Sequence, residues 1–259
     1  MSSSLQTLIR DLHRRRGRER RGLALAEGVR LVEEALAAGI GIQGAVASPV
    51  LESTTRGKTL KESLTARSVR VEDVSDAELE ALADTEHPQG IVAVIEPRHW
   101  SLSDIRMEPG TVVLVLDGVQ DPGNVGTMLR TALGLGAMGM IALKGTADVT
   151  NSKVIRAAMG ATFRLPVATA SQDEFVAWGR LQRMEMWVAD TSGESTERLP
   201  RRNGRPPVAL VLGNEGAGVG PQIDTAADRR VTIPLSPGVE SLNVAVAAGI
   251  LLYEITRDF

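Results

Sequence analysis

The chain has 259 residues, 43% of them hydrophobic, enough for one large or two modest domains with a real core. It has no cysteine, which excludes disulfides, a thiolate zinc site and a Cys nucleophile, and its three histidines (His13, His87 and His99) are too scattered for a His-based metal site or a Ser-His-Asp triad. Net charge is −3, yet residues 1–30 hold eight arginines against three carboxylates, so a +5 segment is joined to a remainder of −8. No apolar run reaches the length of a membrane span and the N-terminus lacks an apolar signal core, so a soluble cytoplasmic protein without metal is expected.

In chain order, Leu5, Leu8, Ile9 and Leu12 recur at helical spacing, which predicts a helix over 4–21 with the arginines following. A strand is expected over Gly22–Ala26, a helix from Val29 to Ala38 stopped by Gly39, and a strand near Gly44–Ala47. A polar helix near 52–66, a strand near Ser68–Val71 and a helix near Ser75–Ala83 come next, the last with Ser75 and Glu78 in capping-box spacing. Gln89–Ile95 closes this small αβ unit. Pro97 to Pro109 reads as a polar connector, so the expected organisation is a domain over 1–96, a linker over 97–109 and a second domain over 110–259.

The second half alternates. Strands are expected at Thr111–Leu116, Gly139–Leu143, Phe163–Val167, Met186–Ala189, Val208–Leu212 and Val231–Ile233. Helices are expected at Asn124–Gly134, Ser152–Ala158, Gln172–Arg183 and Ser241–Arg257, with Ser241 as the cap of the last. Such alternation predicts an α/β domain with a mostly parallel sheet, where ligands sit beyond the C-terminal strand ends. The final helix is apolar nearly all round, which suggests burial against a partner subunit as well.

Two strand-to-loop transitions stand out. Val208–Leu212 opens into Gly213-Asn214-Glu215-Gly216-Ala217-Gly218, and Val231-Thr232-Ile233-Pro234-Leu235 leads to Ser241-Leu242-Asn243. Glycine there lets the backbone approach a ligand. At the end of the first strand of this half, Asn124 and Arg130 lie a little under two helical turns apart, placing an amide and a fixed positive charge near one strand end. Ordinary nucleotide fingerprints fail: Pro221 stands where a dinucleotide loop needs its third glycine, and Glu52 where a phosphate loop before Gly57-Lys58-Thr59 needs its first. The arginine cluster is a plausible phosphate-contacting surface, against the alternative of a solvated helix face.

Asn124-x-Gly126-x-x-x-Arg130-x-Ala132, Gly213-Asn214-Glu215-x-x-Gly218 and Ile233-Pro234-Leu235 followed by Ser241-Leu242-Asn243-Val244 resemble the three ordered motifs of the SpoU (TrmH-like) branch of the SPOUT RNA methyltransferases. The Arg-rich start and Glu27-Gly28-x-Arg30 resemble the substrate-binding domain found before many SpoU domains. The resemblance implies an α/β domain with a C-terminal trefoil knot, a homodimer, and 2′-O-methylation of ribose in RNA with S-adenosylmethionine. Ribosomal RNA is the first expectation and transfer RNA the second; a non-catalytic RNA-binding protein is the competing reading.

On that resemblance, Thr191, Leu212, Gly213, Asn214, Gly218, Ile233, Leu235, Ser241, Leu242 and Asn243 hold the cofactor. Asn124, Arg130, Glu215, Ser241 and Asn243 match the polar catalytic positions. Arg14, Arg15, Arg16, Arg18, Arg20, Arg21, Arg30 and Arg156 are expected to face RNA. Guanidinium holds its proton tightly, so Arg130 is read as positioning the substrate phosphate and stabilising developing alkoxide rather than as a base. Glu215 is expected to orient Arg130 or its own loop, and Asn124 to fix the ribose. Ala158 and Ala245 stand where relatives often carry Ser, which bears on fine substrate contacts.

Overall fold

The computed structural model describes residues 4–196 and 204–256. Two compact units emerge: residues 4–98 with 150–163, and residues 99–149 with the described part of 164–256.

The first unit opens with α1 (Leu5–Leu12) and α2 (Arg15–Arg21), where the sequence had suggested one helix. The break has a chemical cause. A side chain at position 17 would overlap the Asp11 carbonyl, so glycine is required there, and Arg18 folds back to donate to the carbonyls of Leu12 and His13, both at 3.0 Å. Those are carbonyls that the end of α1 leaves without helical partners. Then come β1 (Ala24–Glu27), α3 (Val29–Ala37), β2 (Gly41–Ala47), α4 (Thr55–Ala66), β3 (Val71–Asp73), α5 (Asp76–Glu80) and β4 (Ile91–Glu96). The expected Ser75–Glu78 capping box is present. The four strands form one sheet in the order β1-β4-β2-β3, with β4 antiparallel to β1 and β2. Their alternating residues feed two apolar clusters, one containing Ile91, Ala93 and Ile95, the other Val92 and Val94.

The second unit contains β5 (Val112–Asp117), α6 (Pro122–Gly134) and β6 (Met140–Leu143). The helix α7 (Ser152–Ala158), which sequence order placed in the second domain, clusters with the first unit, where Ile155 and Phe163 join the core. The chain continues through β7 (Val167–Ala170), α8 (Gln172–Leu181), β8 (Glu185–Ser195), β9 (Val208–Gly213), α9 (Pro221–Ala226), β10 (Arg229–Thr232) and α10 (Val244–Thr256). Arg257, where the last helix was expected to end, lies outside the described residues.

All six strands of this sheet run parallel in the order β10-β8-β9-β5-β6-β7. β5 and β9 read as unbroken apolar runs because the sheet is covered on both faces. Phe175, Trp178 and Ile223 pack on one face, while α10 lies against α6, with Gly249 approaching Thr131. The expected strand Phe163–Val167 is instead a 3-10 turn at Ala161–Phe163 followed by β7, since Pro166 cannot donate to a ladder. The stretch 97–109 is not a free connector: Trp100 bridges to Ala168, and Ile105 is buried against Gly139. No helix among the described residues is long and apolar enough to cross a membrane.

Candidate functional site

Because every strand of the second sheet points the same way, all the loops after strands open on one edge. The turn after β9 is held shut by its own backbone. Asn214 and Gly218 exchange N–H···O bonds, each 2.9 Å, and Asn214 Oδ1 accepts from the amides of Gly216 and Ala217 at 3.0 Å. Its Nδ2 donates to the Gly118 carbonyl at 3.0 Å. Gly218 sits at φ +69°, and a Cβ on Gly213 would overlap the Gly218 carbonyl carbon. Asn214 therefore buckles the loop.

The loop is anchored at its far end by a residue that the motifs did not single out. Asp117, 4% exposed at the end of β5, accepts from the Gly220 amide at 2.7 Å and from Gln172 Nε2 on both oxygens at 3.0 Å. The only sequence signal for it is an acidic residue ending a buried strand.

Three residues from three distant stretches meet in one chain of hydrogen bonds. Asn124 Nδ2 donates to Glu215 Oε1 at 3.0 Å, and Asn243 Nδ2 donates to Asn124 Oδ1 at 3.1 Å. Asn243 Oδ1 accepts from the amides of Ala245 and Val246, so Asn243 caps α10, where Ser241 had been expected to do so. Asp121 caps α6, accepting from the Asn124 backbone N–H, which leaves the Asn124 side-chain amide for the network. Glu215 is thus held by Asn124 and makes no bond to Arg130. Arg130 is exposed and has no hydrogen bond or ion pair among the described residues.

Beside this network lies a cavity of about 410 Å³, within the size range of small-molecule sites. Of the ten residues expected at a cofactor, Thr191, Leu212, Gly213, Asn214, Gly218, Ile233, Leu235, Ser241 and Leu242 line it; Asn243 does not. Val244, Ala247 and Leu251 of α10 also line it. Its charged lining is Asp190, Glu215 and Glu240, with no Lys or Arg. Backbone and side-chain hydrogen bonds from Ser192, with Arg230 alongside, hold the Asp190 carboxyl below the usual carboxylate range. Apolar walls for a ring, backbone groups at a closed glycine turn and an anionic lining suit a cationic nucleoside.

In the first unit, the arginines divide into groups. Arg18 is 5% exposed and donates to Leu12 O, His13 O and, at 3.3 Å, Thr150 Oγ1, so its expected place on an RNA-facing surface is corrected: it is an internal clamp. Arg20 and Arg21 share Asp11 Oδ2 at 2.7 Å, Arg21 being the main reason that the Asp11 carboxyl sits below its ordinary range. Arg15 pairs with Glu19. Arg156 reaches Glu27 at 3.5 Å, and Glu27 is buried, accepting from the amides of Asp84 and Thr85 and from the Thr85 hydroxyl. Arg14, Arg16 and Arg30 are exposed, with no ion pair among the described residues. No group of three metal-ligating side chains occurs among the described residues.

Residues 111–253 match the model of the SpoU rRNA Methylase family, and residues 7–93 that of the MRM3-like substrate binding domain. The chain is 34% identical over 247 residues to the 23S rRNA (guanosine(2553)-2′-O)-methyltransferase RlmP of Bacillus subtilis, covering 95% of this chain and 93% of that one. The AdoMet-bound rRNA methyltransferase of Sinorhizobium meliloti superposes with a TM-score of 0.87 at 30% identity, covering 100% of this chain and 96% of the other. The SpoU methyltransferase AviRb of Streptomyces viridochromogenes, in complex with AdoMet, gives 0.86 at 28% identity, covering 100% and 98%.

Proposed function

The chain belongs to the SpoU rRNA methylase family, and from that premise we propose that it methylates the 2′-hydroxyl of one ribose in large-subunit ribosomal RNA. The observation that carries this is the Asn243–Asn124–Glu215 network at the rim of an anionic cavity. S-adenosylmethionine, when bound, supplies an electrophilic methyl group on a cationic sulfur. The cavity residues named above would hold that cofactor, Leu212, Ile233, Leu235 and Leu242 supplying apolar lining for its ring. Asn124 and Asn243 place the ribose, Ser241 offers a hydroxyl at the rim, and Glu215 fixes the Asn124 amide. The last loop and α10 close the trefoil knot. The site of action is the cytoplasm.

The same reading takes the protein as a homodimer. Val246, Ile250 and Tyr253 stand 52%, 36% and 56% exposed on α10 at i, i+4 and i+7, an apolar stripe suited to a second copy. Six residues of helix put Arg130 roughly a third of a turn around α6 from Asn124. One helix therefore presents the two side chains in different directions. Arg130 serves the site of the partner subunit, where its guanidinium grips the substrate phosphate and steadies developing negative charge on the ribose oxygen.

Calorimetry on the full chain tests the cofactor assignment. S-adenosylmethionine and its demethylated product should each give saturable heat, and Leu212→Asp should remove it. A folded protein giving no heat with either would sink the assignment.

The first unit supplies RNA affinity in this reading, through Arg14, Arg16 and Arg30. Replacing all three with Gln should weaken binding to ribosomal RNA and flatten the dependence of log affinity on log salt by about 2–3, since each phosphate contact releases slightly less than one counterion. Arg18 is left in place because its loss would strip partners from buried carbonyls. An unchanged salt slope in the triple variant would make these arginines a solubility feature.

A further inference from the structure

The first unit holds a cavity of its own, about 490 Å³, beyond the C-terminal ends of β2 and β3. Ser48, the residue after β2, lies on its wall 4% exposed, and its Oγ is buried with no hydrogen-bond partner. The Ser48 backbone is already used: its N–H donates to Gly90 O and its carbonyl accepts from Leu51, both at 3.0 Å. Only the hydroxyl is left to be satisfied, and buried hydroxyls are rarely left so.

Around it, Lys61 Nζ bridges Glu52 Oε1 at 2.5 Å and Asp73 Oδ1 at 2.8 Å. Glu78 is occupied in the capping box with Ser75. The lysine is consumed by its two carboxylates, so the lining of three carboxylates and one ammonium is acceptor-rich and net negative. Such a lining rejects phosphate and favours a neutral group that presents hydrogen-bond donors. Pro49 and Val74 give it apolar walls. Among the described residues no carboxylate cluster is arranged for a metal ion.

Resting on the reading that this unit binds RNA, we propose that the cavity takes one unpaired nucleobase of the substrate RNA, with guanine the best match. Guanine N1–H and N2–H donate side by side to the Glu52 carboxylate, and the Ser48 hydroxyl donates to O6. A base reaches such a cavity only when turned out of its stack, as in loops and bulges, which is where proteins read RNA sequence.

The test uses the full-length protein and RNA hairpins whose uridine loop carries one guanosine, one inosine (guanosine without the 2-amino group) or neither. Fluorescence anisotropy should show the guanosine hairpin bound about tenfold more tightly than the inosine one, within the range for loss of one base-reading contact. Glu52→Gln should bring that ratio close to one, whereas Ser48→Ala should weaken the guanosine and inosine hairpins alike, because both bases carry O6, and keep the ratio. Both variants should leave affinity for the all-uridine hairpin and its salt slope unchanged. The Arg14, Arg16 and Arg30 triple variant should weaken all hairpins alike and keep the ratio. Ser48→Ala removes a hydroxyl that has no partner, so melting should be little changed; should that variant not fold, Glu52→Gln carries the test. Hairpins bound without base preference, a guanosine-over-inosine preference that survives Glu52→Gln, or an advantage over the all-uridine hairpin that survives Ser48→Ala overturn the proposal and leave the RNA-binding role standing. Failure to bind any hairpin overturns that role and the proposal with it.

Discussion

Arg130→Ala will lower methyl transfer at least about 100-fold, the usual loss when a group aimed at developing charge is removed, while cofactor affinity and melting temperature stay near the parent's. Arg130 is exposed and has no partner among the described residues, so its removal breaks no bond in the fold. It does not line the cavity either, so the cofactor should not sense the change. Arg130→Lys should also be poor, because a point charge does not reproduce a planar, two-pronged donor. The cross-subunit placement adds a sharper test. An Arg130→Ala chain mixed with an Asn124→Ala chain should regain about a quarter of parental activity, since half the dimers are mixed and each mixed dimer has one intact site. No recovery on mixing, with exchange of subunits verified, would put Arg130 in the site of its own chain. Near-normal turnover of Arg130→Ala alone would remove it from the mechanism.

Gly213→Ala will reduce affinity for S-adenosylmethionine on the order of 100-fold, about 2.7 kcal/mol. The backbone angle at Gly213 is not the obstacle, because its φ is not positive. A methyl group there would occupy the place of the Gly218 carbonyl carbon, which is backbone and cannot swing aside as a side chain would. The paired bonds between Asn214 and Gly218 would have to open, and both residues line the cavity. The change falls at the last residue of β9, so the buried run before it stays packed and the fold should survive with a loss of about 1–3 kcal/mol, typical of overpacking. Parental cofactor affinity in a folded Gly213→Ala protein would mean that this loop does not hold the cofactor as described.

The motif residues and the parallel sheet were legible because both are written locally: apolar runs ending in glycine, and polar residues at fixed spacing after strand ends. What was not legible depended on particular side-chain contacts, near and far along the chain, that residue periodicity does not encode. The break between α1 and α2 follows from Arg18 reaching back to Leu12 and His13, a bond that helical periodicity does not register. The clamp of Asp117 on Gly220 spans 103 residues, and the bond from Asn243 to Asn124 spans 119. One cap was misplaced for a related reason: Ser241 is a good cap by residue type, but Asn243 stands in the position that meets the free amides. Six arginines close together in sequence looked alike, and only the fold separates a buried clamp from paired and unpaired surface groups.

Methylation of ribosomal RNA by the purified protein tests the central claim most directly. RNA from cells lacking the gene is incubated with tritiated S-adenosylmethionine and the protein, then mapped for alkali-resistant linkages. The account predicts label on one ribose 2′-oxygen of large-subunit RNA, absent with Arg130→Ala. Label on a base, or no transfer to any RNA by a protein that binds both cofactor and RNA, would contradict it.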